Sequence, residues 1–240
     1  MSEAQQPMTQ QQLKQAAAVY AADTFVHSGM YLGLGSGSTS ELFVKEVGRR
    51  VAAGQLENLI TVSTSEKVAE LARTFGLNVI GLDDVAHLDV TIDGADEIDP
   101  LTFSVVKGGG GALLREKLVA VASKLEVIIA DESKLVTRLG EKMPIPVEVI
   151  PFGWHHTAAR LRALNCDPIL RLQNEKPYLT DSGNYILDCQ FAPTSDPAGL
   201  SLSIKNLTGV VEHGIFSGIA GRVVIAAPSG VYEVQPPALR

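Results

Sequence analysis

Residues 105–125, VVKGGGGALLREKLVAVASKL, set four consecutive glycines between a lysine and a stretch with helical composition. Glycine loses more backbone freedom on folding than any other residue, so four in a row are costly to order. Bare backbone lets a ligand approach N–H groups that side chains would otherwise screen. Successive N–H groups at a helix start form a nest for negative charge, of the kind that stabilises an oxyanion. Lys107 adds an ammonium at the edge of Gly108, Gly109 and Gly110. Glu116 follows on the first turns of the helix, and taken alone it reads as an exposed glutamate paired with a nearby lysine.

Two further stretches have compositions that packing does not call for. DGADEID, residues 93–99, has four carboxyl groups at the end of the apolar run DVTI. Asp93 and Asp96, separated by Gly94 and Ala95, could face one cleft and divide acid and base roles by mutual repulsion. A solvated loop with Asp96 capping a turn, or a divalent-metal site without a nearby histidine, are the other two readings. GLGSGSTS, residues 33–40, fails the G-x-G-x-x-G pattern because Ser38 stands where the third glycine belongs, and it has no Walker Gly-Lys-Ser/Thr. Ser36, Gly37, Ser38 and Thr39 nevertheless lead into a helix start, whose free N–H groups and positive dipole suit an anion such as phosphate. The alternative is a turn capped by Ser or Thr. Lys134, in ADESK, falls at the same sheet edge, and Lys14, in MTQQQLKQAAA, begins the first helix. Each read singly is a solvated charge.

The elements that must position these groups alternate from Met30 onward. Strands MYLGL, NLITVS, LNVIGL, HLDVTI and EVIIAD are separated by helices, among them SELFVKEVGRRVAAG, EKVAELARTFG and LLREKLVAVASKL. Strands that are apolar throughout and separated by helices predict a parallel sheet covered on both faces, with ligands at the strands' carboxyl ends. After Gly140 the order becomes β-α-β-β-α-β, the split βαβ arrangement of a ferredoxin-like unit. Its strands are PVEVIPF, PILRLQ, KPYLT with YILDCQF as a hairpin about Asp181–Asn184, and GVVEHGIF; His155 and His156 open its first helix. VVIAAPSGVYEV then returns to the first sheet. The expected division is an α/β domain over 1–139 and 217–240, with a small α+β domain over 140–216 inserted in it.

Composition excludes several classes. The chain has 240 residues, 45% hydrophobic, with a net charge of −7 and no Lys/Arg-rich block. A nucleic-acid or anionic-membrane partner is therefore not expected. No apolar run is long enough to span a bilayer, and MSEAQQPMTQQQ lacks the regions of a signal peptide, so a frayed tail and a cytoplasmic protein are expected. Cys166 and Cys189 read as reduced fillers. The histidines show no metal-ligand spacing, and no Gly-x-Ser-x-Gly elbow is present.

Taken in order, GLGSGSTS, DGADEID, KGGGGALLREK, IADESK and PVEVIP resemble the type A ribose-5-phosphate isomerase family over nearly the whole chain. The resemblance implies a Rossmann-like, mostly parallel sheet domain with an inserted ferredoxin-like lid. It also implies an aldose–ketose isomerase that passes through an enediolate, with a sugar phosphate as ligand. Neither a nicotinamide nor a metal is needed for that chemistry, so no cofactor is expected. A homo-oligomer, dimer or tetramer, is implied as well. Glu116 matches the family's base, Asp93 and Asp96 its acidic pair, and Lys107 the lysine that opens the glycine loop. Ser36, Gly37, Ser38 and Thr39 match the sugar-phosphate loop, with Gly94, Ala95, Gly108, Gly109, Gly110, Lys134 and Lys14 as further contacts. Two departures stand out: the family's pattern has threonine at Leu114, and residues 97–106 run one residue longer. Deaminases, lactonases, coenzyme A transferases and sugar-phosphate sensors share the fold class. A sensor is free to lose Glu116 or the aspartates, and all three are present here.

Overall fold

The computed structural model describes residues 8–235. Helix α1 (Gln10–Phe25) starts at a capping box: Thr9 Oγ1 accepts the N–H of Gln12, and Gln12 Oε1 accepts the N–H of Thr9. The expected frayed tail thus falls partly on residues 1–7, outside the described residues, while residues 9–12 are a capped helix start. The chain continues through β1 (Tyr31–Leu34), α2 (Ser38–Ala52), β2 (Ile60–Ser63), α3 (Glu66–Thr74), β3 (Asn78–Val79) and β4 (Val90–Asp93). Next come β5 (Glu97–Asp99), β6 (Ser104–Val106), α4 (Leu113–Val121) and β7 (Glu126–Asp131). Then follow β8 (Ile145–Val149), α5 (Trp154–Arg162), β9 (Asp167–Leu170), β10 (Leu172–Gln173), β11 (Lys176–Pro177) and β12 (Tyr185–Gln190). The last elements are α6 (Pro197–Lys205), β13 (Val210–His213), β14 (Ile215–Phe216), β15 (Arg222–Ala227) and β16 (Gly230–Val234).

The seven-stranded sheet has the order β16-β15-β7-β4-β1-β2-β3, parallel except for β16. Its direction of growth reverses between β1 and β4, the position where a Rossmann-like sheet opens a crevice beyond its carboxyl ends. Every residue of β7 is buried, which the uniformly apolar run VIIA needs. On one face α1 and α2 bury Ala17, Phe43 and Val47 against Leu32 and Ile92. On the other, Ala120 of α4 meets Ile128 and Val223.

A second sheet, ordered β13-β8-β12-β9, is antiparallel throughout, the order a ferredoxin-like unit takes. The hairpin expected between KPYLT and YILDCQF does not form. β12 pairs with β8 and β9, while β11 pairs with β10 across Asn174 and Glu175, whose φ of 51° and 63° give the left-handed pair of a tight hairpin turn. Glutamate at the second position hid that turn in the sequence. Asp181–Asn184 still turns sharply, with Gly183 N–H on Thr180 O at 2.9 Å. Its Asp181 side chain accepts the N–H of Glu66 at the start of α3 (2.9 Å).

GVVEHGIF, expected as one strand, breaks at Gly214. A Cβ there would overlap the carbonyl of Lys107, and the Gly214 carbonyl accepts the Lys107 N–H at 2.8 Å. β14 therefore joins β6 and β5 in a small three-stranded sheet. The same sheet changes the meaning of DGADEID. Glu97 is fully buried and accepts the N–H groups of Gly140 (2.6 Å), Lys142 (2.5 Å) and Met143 (2.8 Å). Asp99 accepts from Leu101 N and Thr102 Oγ1, both at 2.8 Å. Half of the acidic motif is architecture. Cys166 and Cys189 are both free and buried in the second core. No helix among the described residues is long and apolar enough to cross a membrane.

Three N–H groups without an acceptor are costly at a buried junction. Glu97→Ala should lower stability by about 2–4 kcal/mol in urea unfolding; a loss below about 0.5 kcal/mol would contradict this role for Glu97.

Candidate active site

Three loops meet beyond the carboxyl ends of β1, β4 and β7 around a cleft. Ser36, Gly37, Ser38 and Thr39 line it from the first loop, Gly94, Ala95 and Asp96 from the second, and Lys134 from the third. Lys107, Gly108, Gly110 and Glu116 close it from β6 and α4. Most of the expected site residues are thus brought together, though Asp93, Gly109 and Lys14 do not line the cleft.

Asp93 lies beneath it with no exposed surface. Its Oδ1 accepts from Ser36 N (3.0 Å), Gly94 N (2.7 Å) and Ser40 Oγ (3.1 Å). Its Oδ2 sits 2.8 Å from Lys107 Nζ, an ion pair that lacks hydrogen-bond alignment. This packing explains Gly35, where any Cβ would collide with the Asp93 carboxyl. Of the two aspartates expected to face one cleft, only Asp96 does so, and it accepts the N–H of Gly109 at 2.7 Å.

Lys107 is 2% exposed and donates to Gly94 O at 2.5 Å. Burial lowers its proton affinity, but the adjacent charges of Asp93 and Glu116 outweigh that and hold it above the ordinary lysine value. It stays an ammonium. Glu116 Oε1 lies 3.5 Å from Lys107 Nζ, while its Oε2 is buried with no hydrogen-bond partner among the described residues. Burial pushes the Glu116 carboxyl up to about 8, against the pull of Lys107 and with a further push from Asp93 and Asp96. A carboxyl that holds and releases a proton near neutrality has the property a general base needs.

α4 is fixed from outside. Lys117, the residue after Glu116, donates to Glu212 Oε1 (2.8 Å), His213 O (2.7 Å) and Ile215 O (2.9 Å), tying the helix to β13 and β14. Arg115 pairs with Glu66 at 2.7 Å and donates to Asp181 O at 3.1 Å.

The first loop forms no side-chain cap. Gly37, at φ 99°, is the N-cap residue of α2, so the alternative reading of a Ser or Thr cap does not hold. The N–H groups of Ser38, Thr39 and Ser40 have no protein acceptor among the described residues, which leaves the helix start open to an anion. The Ser36 hydroxyl is taken by Thr64 Oγ1 (2.6 Å) and Ser65 Oγ (2.9 Å). Lys14 reaches the rim from α1 and donates to Ser38 Oγ at 3.0 Å. Among the described residues no group of three or more His, Cys, Asp or Glu is placed to hold a metal ion.

Sequence reasoning missed Glu126. Glu126 opens β7 on the face it shares with Asp93, and both its oxygens are buried without a partner. Burial, then Asp93, pushes its carboxyl well above the ordinary range. A polar residue at a strand start gives no signal of such burial.

Strand order and cleft define a class: an α/β enzyme built on a buried lysine–carboxylate cluster beside a helix start that is open to an anion. Residues 60–230 match the family model for ribose 5-phosphate isomerase A (phosphoriboisomerase A). The chain is 49% identical to the ribose-5-phosphate isomerase A of Synechococcus sp. (strain JA-3-3Ab), over 93% of this chain and 97% of that protein. It is 48% identical to that of Deinococcus radiodurans, over 92% and 97%. The solved ribose 5-phosphate isomerase A of Methanocaldococcus jannaschii superposes with a TM-score of 0.89 at 36% identity, over 95% of this chain and 100% of that one. A D-ribose-5-phosphate isomerase solved in complex with phospho-erythronic acid superposes at 0.92 with 35% identity, over the same shares. The chain belongs to the ribose 5-phosphate isomerase A family.

Unfolding exposes Glu126 to water, where it loses its proton at ordinary carboxylate pH. The folded chain retains that proton to much higher pH, so this residue makes stability fall as pH rises between those limits. Glu126→Gln removes the titration. Its melting temperature relative to the parent should climb between pH 5 and pH 8, by up to about 1.4 kcal/mol of stability per pH unit. A difference that does not change with pH would show that Glu126 ionises normally in the fold.

Proposed function

We propose that the chain interconverts D-ribose 5-phosphate and D-ribulose 5-phosphate, a step of the non-oxidative pentose phosphate pathway, as a cytoplasmic homo-oligomer. In this reading residues 140–216 are a lid inserted into the domain formed by 1–139 and 217–240. The observation that carries the reaction is the unpartnered Oε2 of Glu116, buried beside an ammonium in a cleft that Gly108 and Gly110 also line.

The phosphate sits on the N–H groups of Ser38, Thr39 and Ser40, with Lys134 lining the same cleft and Lys14 at its rim. The sugar arrives as a ring, and Asp96 moves the proton between the anomeric hydroxyl and the ring oxygen. Asp93, lacking access to the cleft, keeps Lys107 charged and in place. Glu116 takes the proton from C2; the electron pair forms the C1–C2 double bond and the carbonyl electrons move onto O1. A proton then passes from O2 to O1, leaving charge on O2. As the C2 carbonyl forms, C1 recovers the proton from Glu116. Throughout, Lys107 and the N–H groups of Gly108 and Gly110 face the negative oxygens, and donors already in place need no reorganisation as charge develops.

A coupled assay with ribose 5-phosphate, run with and without chelator, tests the reading, and equal turnover in both arms is expected. Glu116→Gln should lower kcat by about 100- to 10,000-fold with KM within about threefold; near-normal kcat would remove Glu116 as the base.

Only ionised Glu116 accepts the C2 proton, and its carboxyl titrates near 8. In the parent enzyme kcat/KM should therefore rise with pH, about tenfold per unit well below that value, and level off above it. A flat profile from pH 6 to 9 would contradict this assignment.

A further inference from the structure

The glycine run closes one bond within itself, Gly111 N–H to Gly108 O at 3.0 Å, and its carbonyls are held further from the lid. Arg171 lies between β9 and β10, and its guanidinium grips Asp188 of β12 with two bonds, Nε to Oδ2 at 2.9 Å and Nη2 to Oδ1 at 2.5 Å. The remaining fork, Nη1, donates to Gly108 O (2.9 Å) and Gly109 O (3.1 Å). Tyr178 OH donates to Gly110 O at 3.4 Å, and its ring fills the space where Gly111 would carry a side chain. Three consecutive carbonyls are thus held toward the lid.

A trans peptide points its N–H opposite its carbonyl. With the Gly108 carbonyl on Arg171, the N–H of Gly109 is aimed at Asp96, and that bond is present. With the Gly109 carbonyl on Arg171, the N–H of Gly110 points away from Arg171; it has no protein acceptor among the described residues, and Gly110 lines the cleft. Neither Arg171 nor Tyr178 is among the residues that line the cleft. Asp188 gives the fork a fixed direction, which a lone flexible arginine would not have.

We infer that Arg171, aligned by Asp188, is a positioning residue that sets the direction of the glycine-loop N–H groups toward the anionic intermediate. The inference rests on the isomerase reading, which wild-type turnover of ribose 5-phosphate tests separately. Because a misplacement of about 1 Å can cost about 100-fold, the effect belongs in kcat rather than in phosphate binding.

The experiment compares the full chain with Arg171→Met, Arg171→Lys and Asp188→Asn for turnover, melting temperature and binding of two inert analogues. Phospho-erythronate carries a carboxylate where the intermediate is anionic, and ribitol 5-phosphate is neutral there. Arg171→Met and Asp188→Asn should lower kcat about 10- to 100-fold with KM within about threefold, less than the loss of a whole donor. Affinity for phospho-erythronate should fall by a similar factor, while that for ribitol 5-phosphate holds. Arg171→Lys should recover part of the loss, since an ammonium can still reach one carbonyl. Unchanged kcat, equal weakening of both analogues, or losses that merely follow a lower melting temperature would each overturn the assignment.

Discussion

One buried ammonium organises this molecule. Lys107, 2% exposed, has Asp93 at 2.8 Å and Glu116 at 3.5 Å. Removing a charge from water costs several kcal/mol unless partners replace the solvent, so the cation can be buried only where carboxylates already stand. Three pieces of chain must therefore arrive together: the end of β4 with Asp93, the end of β6 with Lys107, and the first turn of α4 with Glu116. Asp93 is held in turn by Ser36 N, Gly94 N and Ser40 Oγ, which fixes the first loop and the start of α2. The open helix start and the charged cluster are consequently parts of one rigid unit.

The same constraint separates two carboxyls that look alike in sequence. Asp93 has an ammonium and three donors around it and no exposed surface, so it is held in place beneath the cleft. Glu116 has a single, longer contact with that ammonium and an oxygen without a partner, and burial raises its proton affinity. Environment rather than residue type divides their roles.

The second sheet contributes no side chain to the cleft lining, yet it fixes what does line it. Lys117 bonds to β13 and β14, Arg115 to the Asp181 turn, and Arg171 and Tyr178 hold the glycine carbonyls. Glu148 of β8, buried, receives Thr180 Oγ1 and Asn184 Nδ2, each at 2.9 Å, and so steadies the turn that docks on α3. A loop of four glycines has the backbone freedom to admit a ligand and none of the side chains needed to fix itself. Besides Asp96 and the bond from Gly111 N–H to Gly108 O, its order comes from residues more than 60 positions away.

The amino-acid sequence by itself determined the alternation of strands and helices, the carboxyl-end loops and the family motifs, because these are local patterns of period, turn residues and spacing. Glu116, Lys107, Asp96 and the first loop were legible as a set for that reason. The mispaired hairpin, the break at Gly214 and the buried Glu97 were not, because strand partners and burial depend on segments far apart in the chain. Only the tertiary structure decided that Asp93 lies under the cleft rather than in it, that Glu126 is buried beside the cluster, and that Arg171 reaches the glycines. Each of those outcomes is set by which charges and carbonyls meet across the assembled fold, a quantity no short stretch of sequence contains.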